Sequence, residues 1–241
     1  MQMVILAGGL ATRLNSLAKD IPKSMIDVAG KPFMEHQLVL LRRSGITDVV
    51  VCVGHLAQLI VDYFGDGSKF GLRIRYSYDG DRLLGTGGAL KQAEPLLEGY
   101  FFLIYGDSYL AISFAEALQK LQSANKSGLM VVYRNRNLYD KSNVIVRDGM
   151  VVVYDKKQSS SEMLWIDAGI TLLKRETFVA IPTSKVFSLE HLLSDLVRRD
   201  ELLAWETSKR FYEIGSVAGL EELRTKMQGI SAKIYQSSRE F

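Results

Sequence analysis

The sequence predicts a single α/β domain with a mixed, mainly parallel central sheet flanked by helices. Short runs rich in β-branched and aromatic residues alternate with longer stretches whose apolar residues recur at helical spacing, the pattern of a sheet covered by helices. The 241 residues amount to about one and a half typical domains of ~150 residues, which permits one large domain. Because no internal repeat and no Pro- or Ser-rich linker divides the chain, we predict one domain over residues 1–241.

In the first half of the chain, strands and helices alternate, as in a parallel sheet. Strands are predicted at about Met3–Leu6, Asp48–Val53, Leu72–Tyr78 (an edge strand) and Phe101–Tyr105. Pro32 suits the first turn of a helix and Gly45 suits its C-terminal cap. Gly85 opens a second helix that runs towards Leu97. A third helix begins at Ser113, which forms a capping box with Glu116.

The second half has the pattern of hairpins, so its strands are predicted to be more antiparallel. These strands are Leu129–Tyr133, Asn143–Val146 and Met150–Tyr154, with Asp148-Gly149 as a tight turn. Two further helices are predicted to begin at Ser188 and near Ser216.

Composition excludes several classes of function. Thirty Lys and Arg against 27 Asp and Glu leave a net charge of +3, without the long basic run that follows a nucleic-acid backbone. We therefore expect no nucleic-acid partner. The chain has one cysteine, Cys52, which cannot form an intrachain disulfide and lies in an apolar run. With no signal peptide or membrane-spanning run, we predict a cytoplasmic protein without a membrane partner.

The first candidate site is the glycine-rich loop that follows the first strand. Gly8 to Arg13 presents consecutive backbone N–H groups, which phosphate oxygens need, and Arg13 adds a cation. Lys23, fixed by Pro22, is placed to return to the same phosphates. The loop is neither a Walker loop nor a dinucleotide fingerprint. The alternatives are a simple strand-to-helix turn and, for the Pro-Lys dipeptide, a solvated loop.

These motifs occur in the order found in a known family. Leu6-Ala-Gly-Gly-Leu-Ala-Thr-Arg-Leu14, Pro22-Lys23 and Gly30-Lys-Pro-Phe-Met-Glu35 resemble the start of the sugar-phosphate nucleotidyltransferases. The resemblance continues through Leu84-Gly-Thr-Gly-Gly88, Tyr105-Gly-Asp107, Tyr154-Asp-Lys156, Asp167-Ala-Gly169 and Tyr212-Glu-Ile-Gly215. It spans nearly the whole chain and is closest to the heptose-1-phosphate and mannose-1-phosphate guanylyltransferases. It implies a Rossmann-like fold with a nucleotide-binding half, about residues 1–125, and a sugar-phosphate-binding half, about 126–225.

The resemblance implies a reaction and assigns roles to residues. A sugar 1-phosphate attacks the α-phosphorus of a nucleoside triphosphate, giving pyrophosphate and an NDP-sugar, a precursor of cell-surface polysaccharide. This chemistry needs positioning and charge neutralisation more than a covalent nucleophile. Arg13 would hold the leaving phosphates and Lys23 the α-phosphate, and these two are the catalytic candidates. The implied nucleotide-binding residues are Leu6, Ala7, Gly8, Gly9, Ala11, Thr12, Arg13, Lys23, Asp79, Asp81, Gly85, Thr86, Gly87, Gly88 and Asp107.

The same resemblance implies a magnesium site and an acceptor site. Asp107 and Glu213 would hold a Mg²⁺ that bridges both substrates. Lys156, Asp167 and Gly169 would bind the sugar phosphate. Three of these residues have a plainer alternative: a helix cap or turn for Asp107, an exposed hairpin end for Lys156, and a turn acid for Asp167.

Three departures from the family pattern leave room for other interpretations. Ala11 replaces a loop glycine, Glu213 replaces the commoner Asp, and Asp167 replaces the usual Asn. The alternative functions are a non-catalytic nucleotide-binding or regulatory relative and a metal-dependent glycosyltransferase, for which Asp79-Gly-Asp81 supplies the Asp-x-Asp string. A homo-oligomer is compatible with the sequence, which reveals neither the oligomeric state nor the base and sugar.

Overall fold

The computed structural model describes residues 1–9, 21–80, 82–158, 160–179, 181 and 186–237, with side chains up to residue 229. The strands of the described residues are β1 (Gln2–Leu6), β2 (Asp27–Val28), β3 (Lys31–Pro32), β4 (Asp48–Val53), β5 (Arg73–Tyr78), β6 (Tyr100–Tyr105), β7 (Ser108–Tyr109), β8 (Gly128–Tyr133), β9 (Val144–Arg147), β10 (Met150–Tyr154), β11 (Ile166–Lys174), β12 (Leu202–Thr207) and β13 (Tyr212–Glu213). The α-helices are α1 (Phe33–Arg43), α2 (Ala57–Phe64), α3 (Gly85–Gln92), α4 (Phe114–Ala124), α5 (Leu189–Arg198) and α6 (Val217–Ser237).

A nine-stranded mixed sheet runs through the molecule in the order β5-β4-β1-β6-β11-β8-β12-β10-β9. Strands β10 and β11 pair antiparallel with their neighbours, and the other seven strands share one direction. The predicted mixed, mainly parallel sheet is therefore confirmed. The two antiparallel strands both lie in the second half of the chain, the half predicted to be more antiparallel, although only β10 was itself predicted.

Helices cover both faces of the sheet, as predicted. One buried cluster joins the sheet to α1, α2 and α4, and a second joins its other face to α3 and α5. A third, smaller cluster packs α6 against β2 and the start of α1. None of the described helices has the length and apolar character that a membrane crossing requires.

The strand order places a crevice beside β1. From β1 the chain moves outward to β4 and β5 and then crosses back to β6 on the other side of β1. In open α/β sheets, ligands bind outside the carboxyl ends of the strands where the strand order reverses in this way. The segments that follow β1 and β6 therefore border the predicted binding crevice.

One predicted element bound needs correction, and some elements were not predicted. The helix that begins at Gly85 ends at Gln92 instead of reaching Leu97, and a 3₁₀ turn, Glu94–Leu96, follows it. Pro95 within that turn has no N–H for an α-helical hydrogen bond, which explains the early end. Helix α2, the short strands β2, β3, β7 and β13, and strands β11 and β12 of the large sheet were not predicted, although β11 lies in the middle of that sheet.

The predicted helix starts at Ser113 and Ser188 are confirmed. The Ser113 hydroxyl accepts a hydrogen bond from the Glu116 N–H at 3.4 Å, and Ser188 caps α5 in the same way through Glu190 at 3.2 Å. Gly45 follows α1 with a φ of +82°, the left-handed conformation expected of a C-terminal cap.

Candidate functional site

The predicted nucleotide-binding segments meet at the carboxyl edge of β1, β4, β5 and β6. Strand β1 ends at Leu6, between β4 and β6. The N–H of Ala7, the next residue, donates to Cys52 O at 2.9 Å, and the Gly106 N–H donates to Leu6 O at 2.9 Å. A side chain at Gly106 would lie 2.8 Å from Leu6 O, so only glycine permits this approach. Gly8 and Gly9 follow directly. Ala11, Thr12, Arg13 and Asp81 fall outside the described residues, and their roles stay predictions.

Lys23 and Asp107 form an ion pair at this edge. Lys23 Nζ lies 2.9 Å from Asp107 Oδ2, and the two side chains are 17% and 23% exposed. Lys23 begins a 3₁₀ turn directly after Pro22. Asp107 follows β6 and precedes β7, in a turn and not at the start of a helix. The lysine thus returns to the crevice, next to the carboxylate of the candidate metal ligand.

Asp79 lies on the nucleotide side of the crevice, after β5. Its Oδ2 accepts a hydrogen bond from the Leu84 N–H at 3.2 Å. The same oxygen is 3.5 Å from where a side chain at Gly8 would begin and 3.3 Å from the corresponding point at Gly54. Burial raises the pKa of Asp79 above its ordinary value, and the Leu84 hydrogen bond opposes that shift. Asp79 therefore presents a half-buried carboxylate beside the glycine loop.

The glycines at the start of α3 pack against Phe187. The N–H groups of Gly87 and Gly88 donate to Phe187 O at 3.0 and 3.3 Å, and a side chain at Gly87 would overlap the Phe187 ring. Gly85 has a φ of +72°. Thr86 Oγ1 accepts a hydrogen bond from the N–H of Leu189, at the start of α5. The structure thus gives these residues a packing role, and their predicted contact with the base and ribose stays a prediction.

The candidate acceptor site is a polar cavity of ≈ 390 Å³. It lies beyond Asp107, towards β10 and β11. Its lining residues are Tyr105, Asp107, Asp140, Lys141, Ser142, Asn143, Asp155, Lys156, Lys157, Gln158, Ile166, Asp167, Gly169 and Glu213. The cavity thus brings together all three predicted sugar-phosphate residues and both predicted metal ligands.

Asp167 is a buried anchor for the side chains around it. Oδ1 accepts the Gly169 N–H at 2.9 Å, and Oδ2 accepts the Tyr154 hydroxyl at 3.0 Å. Lys156 Nζ lies 3.5 Å from the same Oδ2. The backbone N–H of Asp167 donates to Asn143 Oδ1 at 2.9 Å. Asp167 lies within β11, so its interpretation as a turn acid is wrong.

Lys156 lines the cavity, with its ammonium over two tyrosine rings. Its ammonium lies 5.0 Å from the centre of the Tyr105 ring and 5.6 Å from that of Tyr154, and its side chain is 39% exposed. Burial alone would lower the pKa of Lys156, but the nearby Asp167, Tyr105 and Glu213 together raise it above its ordinary value. Lys156 therefore stays charged, with its ammonium free on one side to meet an anion.

A bulge in β11 shapes the floor of the cavity. The register of β11 against β8 shifts between Asp167 and Thr171, and Gly169 within the bulge has a φ of +84°. A side chain at Gly169 would lie 2.7 Å from Ser108 Oγ. Both the backbone conformation and the close approach of β7 thus require glycine at this position.

Glu213 reaches the cavity from β13, which pairs with β7 so that Glu213 lies opposite Ser108. Desolvation by the cavity wall, together with the negative charges of Asp107 and Asp167, raises the pKa of Glu213 to about 7, while Lys156 opposes the shift. The residue nevertheless keeps an exposed surface. A carboxylate held close to other carboxylates favours a bound proton or cation.

Asp107 and Glu213 fit the way proteins bind Mg²⁺ together with phosphates. Among the described residues, no three His, Cys, Asp or Glu side chains converge into a complete metal site. Mg²⁺ commonly takes one or two carboxylates and completes its shell with water and substrate phosphates. Two neighbouring acids at a phosphate-binding crevice therefore match that donor set.

The structure adds residues that the sequence analysis did not single out. Asn143 and Tyr154 hold Asp167, and Asp140 and Lys141 line the cavity. Tyr105, at the end of β6, has its pKa raised to about 12, chiefly by burial. Only Tyr105 and Tyr154 carried a signal, since both stand in the motifs quoted above. Asp140 and Lys141 come from a loop without a distinctive pattern, and Asn143 was predicted only as the first residue of a strand.

Comparison with known proteins agrees with this geometry. A sequence model of the family described as "Nucleotidyl transferase" matches residues 2–153 of the chain. The chain belongs to this nucleotidyl transferase family. The match covers the glycine loop, Lys23, Asp79 and Asp107.

Relatives match the chain over nearly its full length. It is 32% identical to D-glycero-alpha-D-manno-heptose 1-phosphate guanylyltransferase of Campylobacter jejuni, over 89% of this chain and 95% of that one. It is 29% identical to N-acetylmuramate alpha-1-phosphate uridylyltransferase of Neisseria meningitidis, over 92% and 96% of the two chains. The crystal structure of HddC from Yersinia pseudotuberculosis complexed with GMP-PN superposes with a TM-score of 0.79 at 26% identity, covering 94% of this chain and 99% of that one. These nucleotidyl transferase relatives support the predicted fold across both halves.

Proposed function

We propose that the protein joins a nucleoside triphosphate to a sugar 1-phosphate, releasing pyrophosphate and an NDP-sugar. The observation that carries the proposal is that Asp107, which pairs with Lys23 at the carboxyl edge of the sheet, also lines the polar cavity. Lys156, Asp167 and Glu213 line the same cavity as Asp107. GTP is the first candidate donor, with D-glycero-D-manno-heptose 1-phosphate or mannose 1-phosphate as acceptor. Two of the relatives described above support that choice, one named as a guanylyltransferase and one bound to GMP-PN.

The chain's own residues supply position and charge. Lys156 holds the phosphate of the acceptor, and Asp167 and the two tyrosine rings fix the lysine. An oxygen of the acceptor phosphate then attacks the α-phosphorus, and the bond to the β-phosphate breaks. Lys23 lies where charge develops on the α-phosphate, which a preorganised cation stabilises. No protein nucleophile is needed for this exchange.

Asp107 and Glu213 would hold the Mg²⁺. The ion, when bound, neutralises phosphate charge and aligns the two substrates. This role explains why two carboxylates lie next to a site for two highly charged anions.

A substrate panel tests the function. GTP, UTP, CTP and dTTP are combined with mannose, heptose, glucose and N-acetylmuramate 1-phosphates, and pyrophosphate release is measured with Mg²⁺ and with EDTA. We expect the highest rate with GTP and a manno-configured acceptor, and none in EDTA. A Lys23→Ala variant, prepared identically, controls for contaminating enzymes.

The panel also separates the alternatives. Nucleotide binding without turnover of any sugar phosphate would favour a non-catalytic regulatory relative. Transfer of a sugar from an NDP-sugar, without pyrophosphate release, would favour a glycosyltransferase. Turnover of a different base or sugar would correct the substrate assignment and leave the reaction class intact.

A further inference from the structure

A buried amide on α1 holds the turn that carries Asp107. Gln37 is 1% exposed. Its Nε2 donates one hydrogen bond to Tyr105 O at 3.0 Å and another to Ser108 O at 2.6 Å. These two carbonyls lie on either side of Gly106 and Asp107, so one side chain spans both ends of the turn.

The direction of these hydrogen bonds shows what the amide contributes. Within the described part of the chain, Gln37 Oε1 is buried without a hydrogen-bond partner. The reverse orientation of the amide would set Oε1 against two carbonyl oxygens, so the two donors fix the orientation. A buried acceptor without a partner destabilises the fold, because it has lost its hydrogen bonds to water. A methionine or leucine would fill the same space without that cost, so what the amide adds here is its two N–H donors.

The clamped turn connects the parts of the candidate site. The Gly106 N–H donates to Leu6 O, which ties the turn to the start of the glycine loop. The Ile214 N–H donates to Asp107 O at 2.9 Å. Ser108, the second carbonyl held by Gln37, lies opposite Glu213 in the β7–β13 pair. A shift of the turn would therefore move both candidate metal ligands.

We propose that Gln37 is the positioning residue that sets Asp107, and through Ser108 also Glu213, for metal binding. It acts through the backbone and does not touch substrate. The inference rests on the proposed function, because it concerns the metal pair of that site. Groups that orient metal ligands from behind typically contribute 10- to 100-fold to metal affinity.

The test measures metal binding directly, apart from turnover. Mn²⁺ is titrated into the full-length protein with GTP and without acceptor, and free Mn²⁺ is followed by electron paramagnetic resonance. Gln37→Met and Gln37→Leu keep the volume but remove both donors. Leu41→Ala removes a buried side chain from the same helix without removing any polar contact, and serves as the matched destabilised control. Thermal unfolding checks that each variant is folded.

We expect Mn²⁺ affinity to fall about 10- to 100-fold in both Gln37 variants, with a similar rise in the Mg²⁺ needed for half-maximal turnover and little change in the KM for GTP. Leu41→Ala should keep the wild-type affinity. Affinity within twofold of wild type in a folded Gln37 variant would overturn the inference, as would an equal loss in Leu41→Ala. If Asp107→Ala binds Mn²⁺ as wild type does, the proposed metal pair itself is wrong and the inference falls with it.

Discussion

Replacing Asp167 by Asn tests whether a negative charge holds the acceptor wall together. The Asn oxygen can still accept the Gly169 N–H, but its NH₂ group would face the Lys156 ammonium, 3.5 Å away from the original oxygen. Losing a hydrogen bond to a charged group costs about 1.5–3 kcal/mol, and breaking a fully buried ion pair costs about 3–5 kcal/mol. The Lys156 side chain is 39% exposed and can turn towards water. We therefore expect Asp167→Asn to lower the free energy of unfolding by about 1–2 kcal/mol, which is less than the cost of breaking a fully buried ion pair.

For a domain of this size, that loss lowers the Tm by about 2–8 °C. Thermal unfolding of Asp167→Asn and wild type measures it, and the KM for the acceptor should rise at the same time because Lys156 loses its anchor. The pKa of Lys156 is raised in the folded state, so protonation of the lysine contributes its full stabilisation below the ordinary lysine pKa, and this contribution is lost as the pH rises through the raised value. Removing the Asp167 charge also relieves its repulsion of Glu213, whose pKa is about 7. The difference in Tm should therefore be larger at pH 6, where Glu213 is mostly protonated, than at pH 8.

Asp195→Asn is the matched control, because it removes a carboxylate from exposed ion pairs with Arg198 and Arg199. Such pairs contribute about 0–1 kcal/mol, so its Tm should stay near that of wild type. An unchanged Tm and acceptor KM in Asp167→Asn would refute the idea that this charge holds Lys156.

Three further predictions concern the crevice. Asp107→Ala should lower kcat by about two orders of magnitude or more with the fold intact, and wild-type turnover in this variant would remove the residue from the mechanism. Glu213→Gln should raise the Mg²⁺ requirement markedly and Glu213→Asp less; equal, negligible effects would make the residue structural. Because the pKa of Glu213 is about 7, a proton competes with the metal below that pH, so the Mg²⁺ requirement of wild type should rise from pH 8 to pH 6, and much less in Glu213→Gln. Gly87→Ala would place a carbon 2.6 Å from Phe187 Cδ2 and should destabilise the fold by about 1–3 kcal/mol, as read by denaturant unfolding. Gly99→Ala, with no atom of the described residues within 4 Å, should not, and equal stability of the two variants would contradict the packing at Phe187.

The local signals in the sequence predict the starts of five described α-helices, but not that of α2, and they predict seven strands of the nine-stranded sheet. Ser113 and Ser188 act through residues two or three positions away, so their roles are visible in the sequence itself. Strand β11 is different. It is buried on both sides in the middle of the sheet, so it lacks the alternation of a half-buried strand, and Asp167 and Gly169 interrupt its apolar residues at the bulge.

The sequence also predicts which residues form the candidate site, but not the contacts between them. Motif order predicts that Lys156, Asp167 and Glu213 belong to one site, and the cavity contains all three. Motif order does not predict that the Asp167 carboxylate accepts hydrogen bonds from Tyr154 and Gly169 and pairs with Lys156, because these contacts depend on the bulge in β11.

The sequence by itself determined the α/β architecture, the glycine loop and the set of charged residues available for phosphate chemistry. These follow from periodicity, turn chemistry and residue type, which act over a few neighbouring positions. Only the tertiary structure decided that Lys23 meets Asp107 across 84 positions, that Glu213 lies beside the same turn, and that Gln37 holds that turn from behind. Such contacts are set by the strand order and by the β7–β13 pairing, and no local pattern in the chain encodes which distant carbonyl a buried amide will meet.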